Sequence, residues 1–251
     1  MTETLKPATR RGLSGTALKY IACVTMLIDH IGASCIEAGL LMPGLASGAL
    51  TAETLAASPL YLLDRILRYT GRLAFPIFCF LLVEGFVHTH DVRRYLRRLV
   101  LFGIISEVPF DLAFFRTPFN PGNQNVYWTL ALGVLAMMGL RHFEKQDGSA
   151  SWKGLLCAGG CAVLAFLAST DYHAIGVLII CALYLTRADR KKQCIVGAVM
   201  FAFEFTAPLA FVLIWFYNGQ RGYCSKAMQT AFYWFYPAHI AILACITNFL
   251  L

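Results

Sequence analysis

Residues Ala17–Leu41 read ALKYIACVTMLIDHIGASCIEAGLL. A bilayer crossing needs about 20 predominantly apolar residues in a row, and this run supplies them. It carries Lys19 near its start and Asp29 and His30 in its middle. A short polar lead, Met1–Leu13 with Lys6, Arg10 and Arg11, precedes it, and no A-x-A cleavage motif follows. The run is therefore expected to be a retained first span, not a signal peptide.

The whole chain is written in the same language. Of its 251 residues 58% are hydrophobic and 14% charged, against about 25% charged in ordinary soluble domains. Mean hydropathy is +0.62. A soluble domain could not build a polar skin from this composition, and disorder, collagen and a small disulfide scaffold are excluded by the same figures. The expected fold class is all-α, a polytopic membrane helix bundle. It should be one domain, residues 17–251, behind a short basic cytoplasmic N-terminus, residues 1–16.

Eight apolar runs are candidate spans: Ala17–Leu41, Arg72–Phe86, Tyr95–Phe115, Val126–Leu140, Trp152–Ala168, Ala174–Leu185, Cys194–Phe216 and Ala227–Leu251. The fourth and sixth are short. Alternate connections are basic: Lys6, Arg10 and Arg11; Arg93, Arg94, Arg97 and Arg98; Arg141, Lys145 and Lys153; Arg187, Arg190, Lys191 and Lys192. The positive-inside rule puts these on the cytoplasmic side of a plasma (inner) membrane, with both termini inside. Arg116, Arg221 and Lys226 are left as exceptions outside. The segment Tyr61–Tyr69 (YLLDRILRY) places apolar residues at helical spacing beside Asp64, Arg65 and Arg68. It reads as one interfacial amphipathic helix, with a backward extension of the second span as the alternative.

The net charge of +7 sits in those short loop clusters, so the expected partner is the lipid bilayer and not nucleic acid. The nine cysteines lie mostly in apolar runs with no CxxC, and Cys157 and Cys161, four apart, have no acidic or imidazole companion. They read as packing residues, and no metal is expected.

Ionisable residues inside spans are costly, at least about 2.5–3.5 kcal/mol each on insertion scales, and point to a functional interior. Lys19 and His30 are eleven residues apart, so they project from one helix face, about 16 Å apart along the axis. A cation near the surface above a buried imidazole suits an anionic substrate with a reactive tip. A snorkelling lysine and a structural histidine fit the same spacing. Asp29 cannot orient the adjacent His30, so its partner should be on another helix, with Arg72 a candidate. Glu84 with His88, and Glu107 with Asp111, each share a face at four-residue spacing. Pro109 and Pro237 free backbone carbonyls inside their spans, a feature tolerated where helices line a cavity. The polar turns Asn120–Asn125, Asp171–His173 and Tyr217–Gly222 are expected on the outer side, as surface turns or as a rim for a substrate.

These same residues resemble the TraX family. The resemblance runs through Leu18-Lys19-Tyr20…Asp29-His30-Ile31-Gly32, Arg72-Leu73-Ala74-Phe75-Pro76 with Glu84-Gly85-Phe86 and His88, and Ser106-Glu107-Val108-Pro109-Phe110-Asp111. It continues in Asn123-Gln124-Asn125, Asp171-Tyr172, Tyr217-Asn218-Gly219…Arg221-Gly222 and Tyr236-Pro237-Ala238-His239. The family is named for a conjugal-transfer protein that N-acetylates pilin. It looks like a distant relative of integral-membrane acyltransferases that carry a basic residue and a histidine with ten residues between, as Lys19 and His30 do.

The resemblance implies an acyltransferase with acetyl-CoA as co-substrate and an acceptor protein or surface glycan as partner. On this expectation His30, with Asp29, is catalytic, and Lys19, Arg72, Arg97 and Arg98 hold the donor. Glu84, His88, Glu107, Asp111, Asn125, Asp171, Asn218, Arg221, Tyr236 and His239 serve the acceptor. A proton-coupled transporter and a non-catalytic assembly factor remain open as alternatives; buried ions suit both, and no internal repeat marks transporter halves.

Overall fold

The computed structural model describes residues 12–251; the expected cytoplasmic cluster Lys6, Arg10 and Arg11 lies outside them. The described chain is helical, with two isolated bridges, Leu13–Tyr217 and Gln124–Thr170, and no strand. Helix α1 (Gly15–His30) is capped by the Ser14 hydroxyl, which accepts from the Ala17 amide. At Ile31 it passes into a π-helical stretch, Ile31–Leu41, and then into α2 (Met42–Ala46). There follow α3 (Ala52–Ala56), α4 (Pro59–Gly71), α5 (Ala74–His88), α6 (Val92–Phe115), α7 (Val126–His142), α8 (Trp152–Leu167), α9 (His173–Leu185), α10 (Arg190–Met200), α11 (Ala210–Trp215) and α12 (Lys226–Phe249). Among the described residues three rods are long and apolar enough to cross a membrane: Gly15–Ala46, Pro59–His88 and Lys226–Phe249. The protein is an all-helical membrane protein.

α5 is the central rod. Its first ten residues, 74–83, are apolar all round, as in a helix surrounded by other helices. Ile77, Phe80, Val83 and Phe86 are fully buried in one core with Val134 and Met137 of α7 and Val177 and Ile180 of α9. α6 starts at Asp91, whose carboxylate accepts from the Arg94 amide at 2.8 Å. That bond holds the Asp91 carboxyl below the usual range. The nine cysteines are free and scattered through the helices.

The segment Tyr61–Tyr69 falls within the apolar rod Pro59–His88, in line with the alternative of a backward extension of the second span. It belongs to α4, part of the second long rod, and packs along α1. Its polar side turns inward: Asp64 is 2% exposed and lies against Gly32. Leu62, Leu63 and Ile66 face outward, where lipid would lie. The amphipathic pattern was legible, but the buried ions of α1 reverse which face is inside.

The seventh expected span, Cys194–Phe216, does not cross. α10 and α11 form a hairpin, Gly197 closing against the Phe211 ring. Arg190 at its start and Tyr217 at its end meet, with the guanidinium 5.0 Å from the ring centroid. The hairpin tip reaches only to mid-bundle, where Thr206 donates to the Tyr69 carbonyl. The loop after it then lies at the start of α1: the Gly15 and Thr16 amides donate to the Gln220 and Arg221 carbonyls at 2.9 and 2.8 Å. Arg221 and Lys226 thus join the basic end of the bundle, and the exceptions in that loop disappear.

α12 consequently runs parallel to α1. Lys19 sits over Phe232, His30 meets His239, Ser34 meets Thr247, and Gly39 meets Leu251. Leu13 and Leu251 therefore lie at opposite ends of the bundle. An impermeant maleimide should label Thr89→Cys and Gln220→Cys from the same side of sealed vesicles and Thr51→Cys from the other; Gln220→Cys labelling together with Thr51→Cys would refute the hairpin.

A methyl group at Gly71 would overlap the Asp29 Cβ, whereas Gly159 has nothing within 4 Å. Gly71→Ala should destabilise the folded protein by about 1–3 kcal/mol, read as a lower melting temperature in detergent, and Gly159→Ala should not.

Candidate active site

α7, α8 and α9 are short because they do not run the full height of the bundle. The turn between α8 and α9 and the loop before α7 meet at depth. The Gln124 amide donates to the Ser169 carbonyl at 2.9 Å, and the Asp171 amide donates to the Gln124 carbonyl at 2.8 Å. Thr129 donates to Thr170 and to the Asp171 carbonyl. The longer walls, α1 with its π-helical continuation, α4, α6 and α12, stand above these turns. A cavity of about 460 Å³ opens between them. Its rim holds Met42, Phe115, Asn123 and His173, and its floor Cys23 and Phe232. The mouth is thus at the end opposite the basic loops.

His30 lines the cavity. Its Nδ1 lies 2.8 Å from His239 Nε2, with the rings nearly parallel (10°). His239 Nδ1 lies 2.6 Å from the Phe235 carbonyl oxygen. A carbonyl only accepts, so His239 Nδ1 carries the hydrogen. With both rings neutral, His239 Nε2 then accepts, His30 Nδ1 donates, and His30 Nε2 is left as a bare lone pair. Phe114 and Tyr236 meet the His30 ring edge-on, at 5.3 and 5.9 Å between centroids. Pro237 has no N–H for the Tyr233 carbonyl one turn back, and that carbonyl accepts instead from the Tyr127 hydroxyl at 3.2 Å.

Two arginines bring ion pairs to the same space. Arg68 Nη1 lies 2.5 Å from Asp29 Oδ2, and its Nε 3.6 Å from Glu37. Arg72 Nη1 lies 3.1 Å from Glu204 Oε1 at the hairpin tip. The direct partner of Asp29 is therefore Arg68, not Arg72. Tyr172 donates to Glu204 at 3.3 Å and stacks on Phe75 with centroids 3.7 Å apart. Ser169, Tyr172 and His173 all have positive φ, at 50°, 60° and 41°. Non-glycine residues in that region are strained, and such strain concentrates at functional sites.

Of the expected site residues, His30, Asp29, Arg72, Asp171 and Tyr236 line the cavity. His239 stands behind His30 and is 7% exposed. Lys19 lies below the floor, its ammonium 5.2 Å from the Phe232 centroid. Arg97 and Arg98 are exposed at the basic end, Arg98 over Tyr233.

The remaining expected residues are placed elsewhere. Glu107 accepts from Asn125 and from Trp128, and Asp111 accepts from the Asn120 amide at 2.8 Å. Asn125 also caps α7. These three hold the α6–α7 connection and do not line the cavity. Glu84 pairs with Arg190 at 3.6 Å, and His88 bonds the Glu84 carbonyl, both near the basic end. Asn218 and Arg221 lie beside Gly12 and Thr16, so they form no outer rim. Their turn changed sides because the hairpin before it does not cross.

Sequence reasoning missed Arg68, Glu204 and Tyr172 as site residues. Arg68 could have been found from Asp64 one turn earlier, since both lie on the polar side of α4. Among the described residues no group of three His, Cys, Asp or Glu is placed to hold a metal.

The family model described as TraX protein matches residues 14–247. The chain is also 31% identical, over 265 aligned positions, to the "Probable fimbrial assembly protein FimC, serogroup H1" of Dichelobacter nodosus, covering 94% of this chain and 97% of that relative. No solved structure matches.

Breaking one half of a buried ion pair strands the other charge, whereas removing both does not. Arg68→Gln alone should therefore lower the melting temperature more than Arg68→Gln combined with Asp29→Asn. Equal losses in the two variants would show the pair to be unimportant for packing.

Proposed function

The chain belongs to the TraX family, and from that membership and the chemistry of the cavity we propose that it is a membrane-embedded acyltransferase serving pilus or fimbrial assembly. It moves an acetyl group from acetyl-CoA to an acceptor amine or hydroxyl, on a protein N-terminus or a surface glycan. The observation that carries this reading is the His30–His239 pair, which leaves His30 Nε2 as an acceptor at the cavity wall.

The steps follow from that geometry. His30 Nε2 takes the proton of the acceptor N–H or O–H as the heteroatom attacks the thioester carbonyl carbon. The new C–N or C–O bond forms and the C–S bond breaks. The proton passes from His30 to the departing thiolate, and His30 returns to its starting tautomer. Arg68 and Arg72 lend positive potential to the oxyanion of the tetrahedral intermediate. Asp29 acts through Arg68, as a positioning residue.

The basic end is assigned to the cytoplasm by its charge. Lys19, with Arg97 and Arg98, attracts the donor phosphates there, one helical turn below Cys23 of the cavity floor. The acceptor enters at the opposite mouth. The second reading is a non-catalytic assembly factor, and the printed name of the relative, which speaks of assembly, favours it.

Purified full-length protein in nanodiscs, radiolabelled acetyl-CoA and acceptor amines separate these readings. Wild type should turn the donor over, and a folded His30→Ala variant should lose about 10²-fold or more, the usual share of a general base. Retained fimbriation in cells carrying His30→Ala, together with no binding or turnover of acetyl-CoA by folded wild type, would overturn the acyltransferase reading in favour of the assembly factor.

A further inference from the structure

A second cavity lies at the basic end, apart from the one that holds His30. It has a volume of about 1120 Å³ and opens between the start of α6, the last turns of α7 and the flank of α8. The two cavities share no lining residue. Its walls divide by height. Leu135 and Met138 of α7 and Val163 and Leu164 of α8 make the inner part. Leu135, Val163 and Leu164 are 42–57% exposed, on the outer flank of the bundle where hydrocarbon lies. A Cβ at Gly160 would meet nothing within 4 Å, so the groove is open at its centre.

The mouth is cationic. Arg93 and Arg141 both line it. Asp91, at the same mouth, is engaged with Arg94 at 3.4 Å. Among the described residues neither Arg93 nor Arg141 has a carboxylate within ion-pairing distance. The Arg141 guanidinium rests on the Phe86 ring, 4.6 Å from its centroid.

We propose that this groove is a binding site for an anionic glycerophospholipid, with its phosphate at Arg93 and Arg141 and one acyl chain lying between α7 and α8. Charge complementarity chooses the headgroup: an unpaired pair of guanidiniums at the membrane surface attracts an anionic phosphodiester and discriminates against a zwitterionic one. The apolar, outward-facing inner wall chooses a lipid over a soluble phosphate compound. A free nucleotide or coenzyme would leave that wall unfilled, and the groove does not lead to His30. The site stands independently of the proposed enzymatic activity.

Native mass spectrometry of the delipidated full-length protein, titrated with cardiolipin, phosphatidylglycerol or phosphatidylcholine, tests it. Wild type should hold the anionic lipids about tenfold or more tighter than phosphatidylcholine. Arg93→Gln with Arg141→Gln should erase that preference. Val163→Trp, which fills the groove and keeps both arginines, should weaken all three lipids. Lys191→Gln with Lys192→Gln, exposed elsewhere at the basic end, should change neither. Equal affinities in wild type, the same loss in the lysine variant as in the arginine variant, or displacement of cardiolipin by CoA would each overturn the assignment. Melting curves of every variant confirm that a loss of binding is not a loss of fold.

Discussion

A carboxylate in the middle of a membrane helix must find a cation or not exist as an ion, and the arrangement of this protein depends on how Asp29 meets that requirement. Its partner, Arg68, lies on α4, and a 2.5 Å contact demands that α4 lie directly on α1. That approach is possible because Gly71 presents no side chain to Asp29 and Gly32 none to Asp64 and Arg68. Once α4 is held there its polar side is spent inward and its leucines face out, so it becomes membrane wall, and α5 follows it into the centre. Glu37, two turns on from Asp29, reaches the same arginine from within the π-helical stretch. One guanidinium thus ties together α1, its π-helical continuation and α4, and it does so at the cavity wall.

The opposite wall is built by turns that stop short. The α8–α9 turn, the α10–α11 tip and the loop before α7 each end near mid-bundle, and polar bonds join them to one another and to the rods. Glu204 accepts Arg72 and Tyr172 together, so the hairpin tip, α4 and the α8–α9 turn share one carboxylate. Backbone that turns at membrane depth is tolerated where it is enclosed by protein or lines a cavity. Here it does both, and the vacant height above the turns becomes the cavity.

Much of this was legible in the sequence, unevenly. Helical class, membrane character and the unusual standing of Asp29 and His30 follow from composition and from single residues, because the cost of a buried charge is local. That Lys19 and His30 share a face also follows from helical period, and both do face α12. What could not be read was which runs turn back. Cys194–Phe216 has the length and apolarity of a span, and only Gly197 against Phe211 and the inward pull on Glu204 make it a hairpin. That one reversal carried Asn218 and Arg221 from an expected outer rim to the basic end and set α12 parallel to α1. Asn125, Glu107 and Asp111 show the converse difficulty. Buried polar residues beside a proline look like a site, yet here one oxygen of each carboxylate holds the α6–α7 connection, Glu107 through Asn125 and Trp128 and Asp111 through the Asn120 amide, and none of the three expected residues lines the cavity.

The histidine pair shows why the surrounding charges do not settle the chemistry. Asp29 pairs with Arg68 and Glu204 with Arg72, and neither carboxylate is bonded to His30. The orienting group is instead a second imidazole, itself fixed by a backbone carbonyl that cannot donate. A carboxylate in that place would add another charge to a region of low dielectric; an imidazole relays direction without adding one. Pro237 belongs to the same device. By leaving the Tyr233 carbonyl without its helical donor it recruits the Tyr127 hydroxyl and ties α7 to α12 six residues before His239. The rigidity of His30 thus derives from the backbone of α12, and the direction of its free lone pair follows from a proline and a carbonyl.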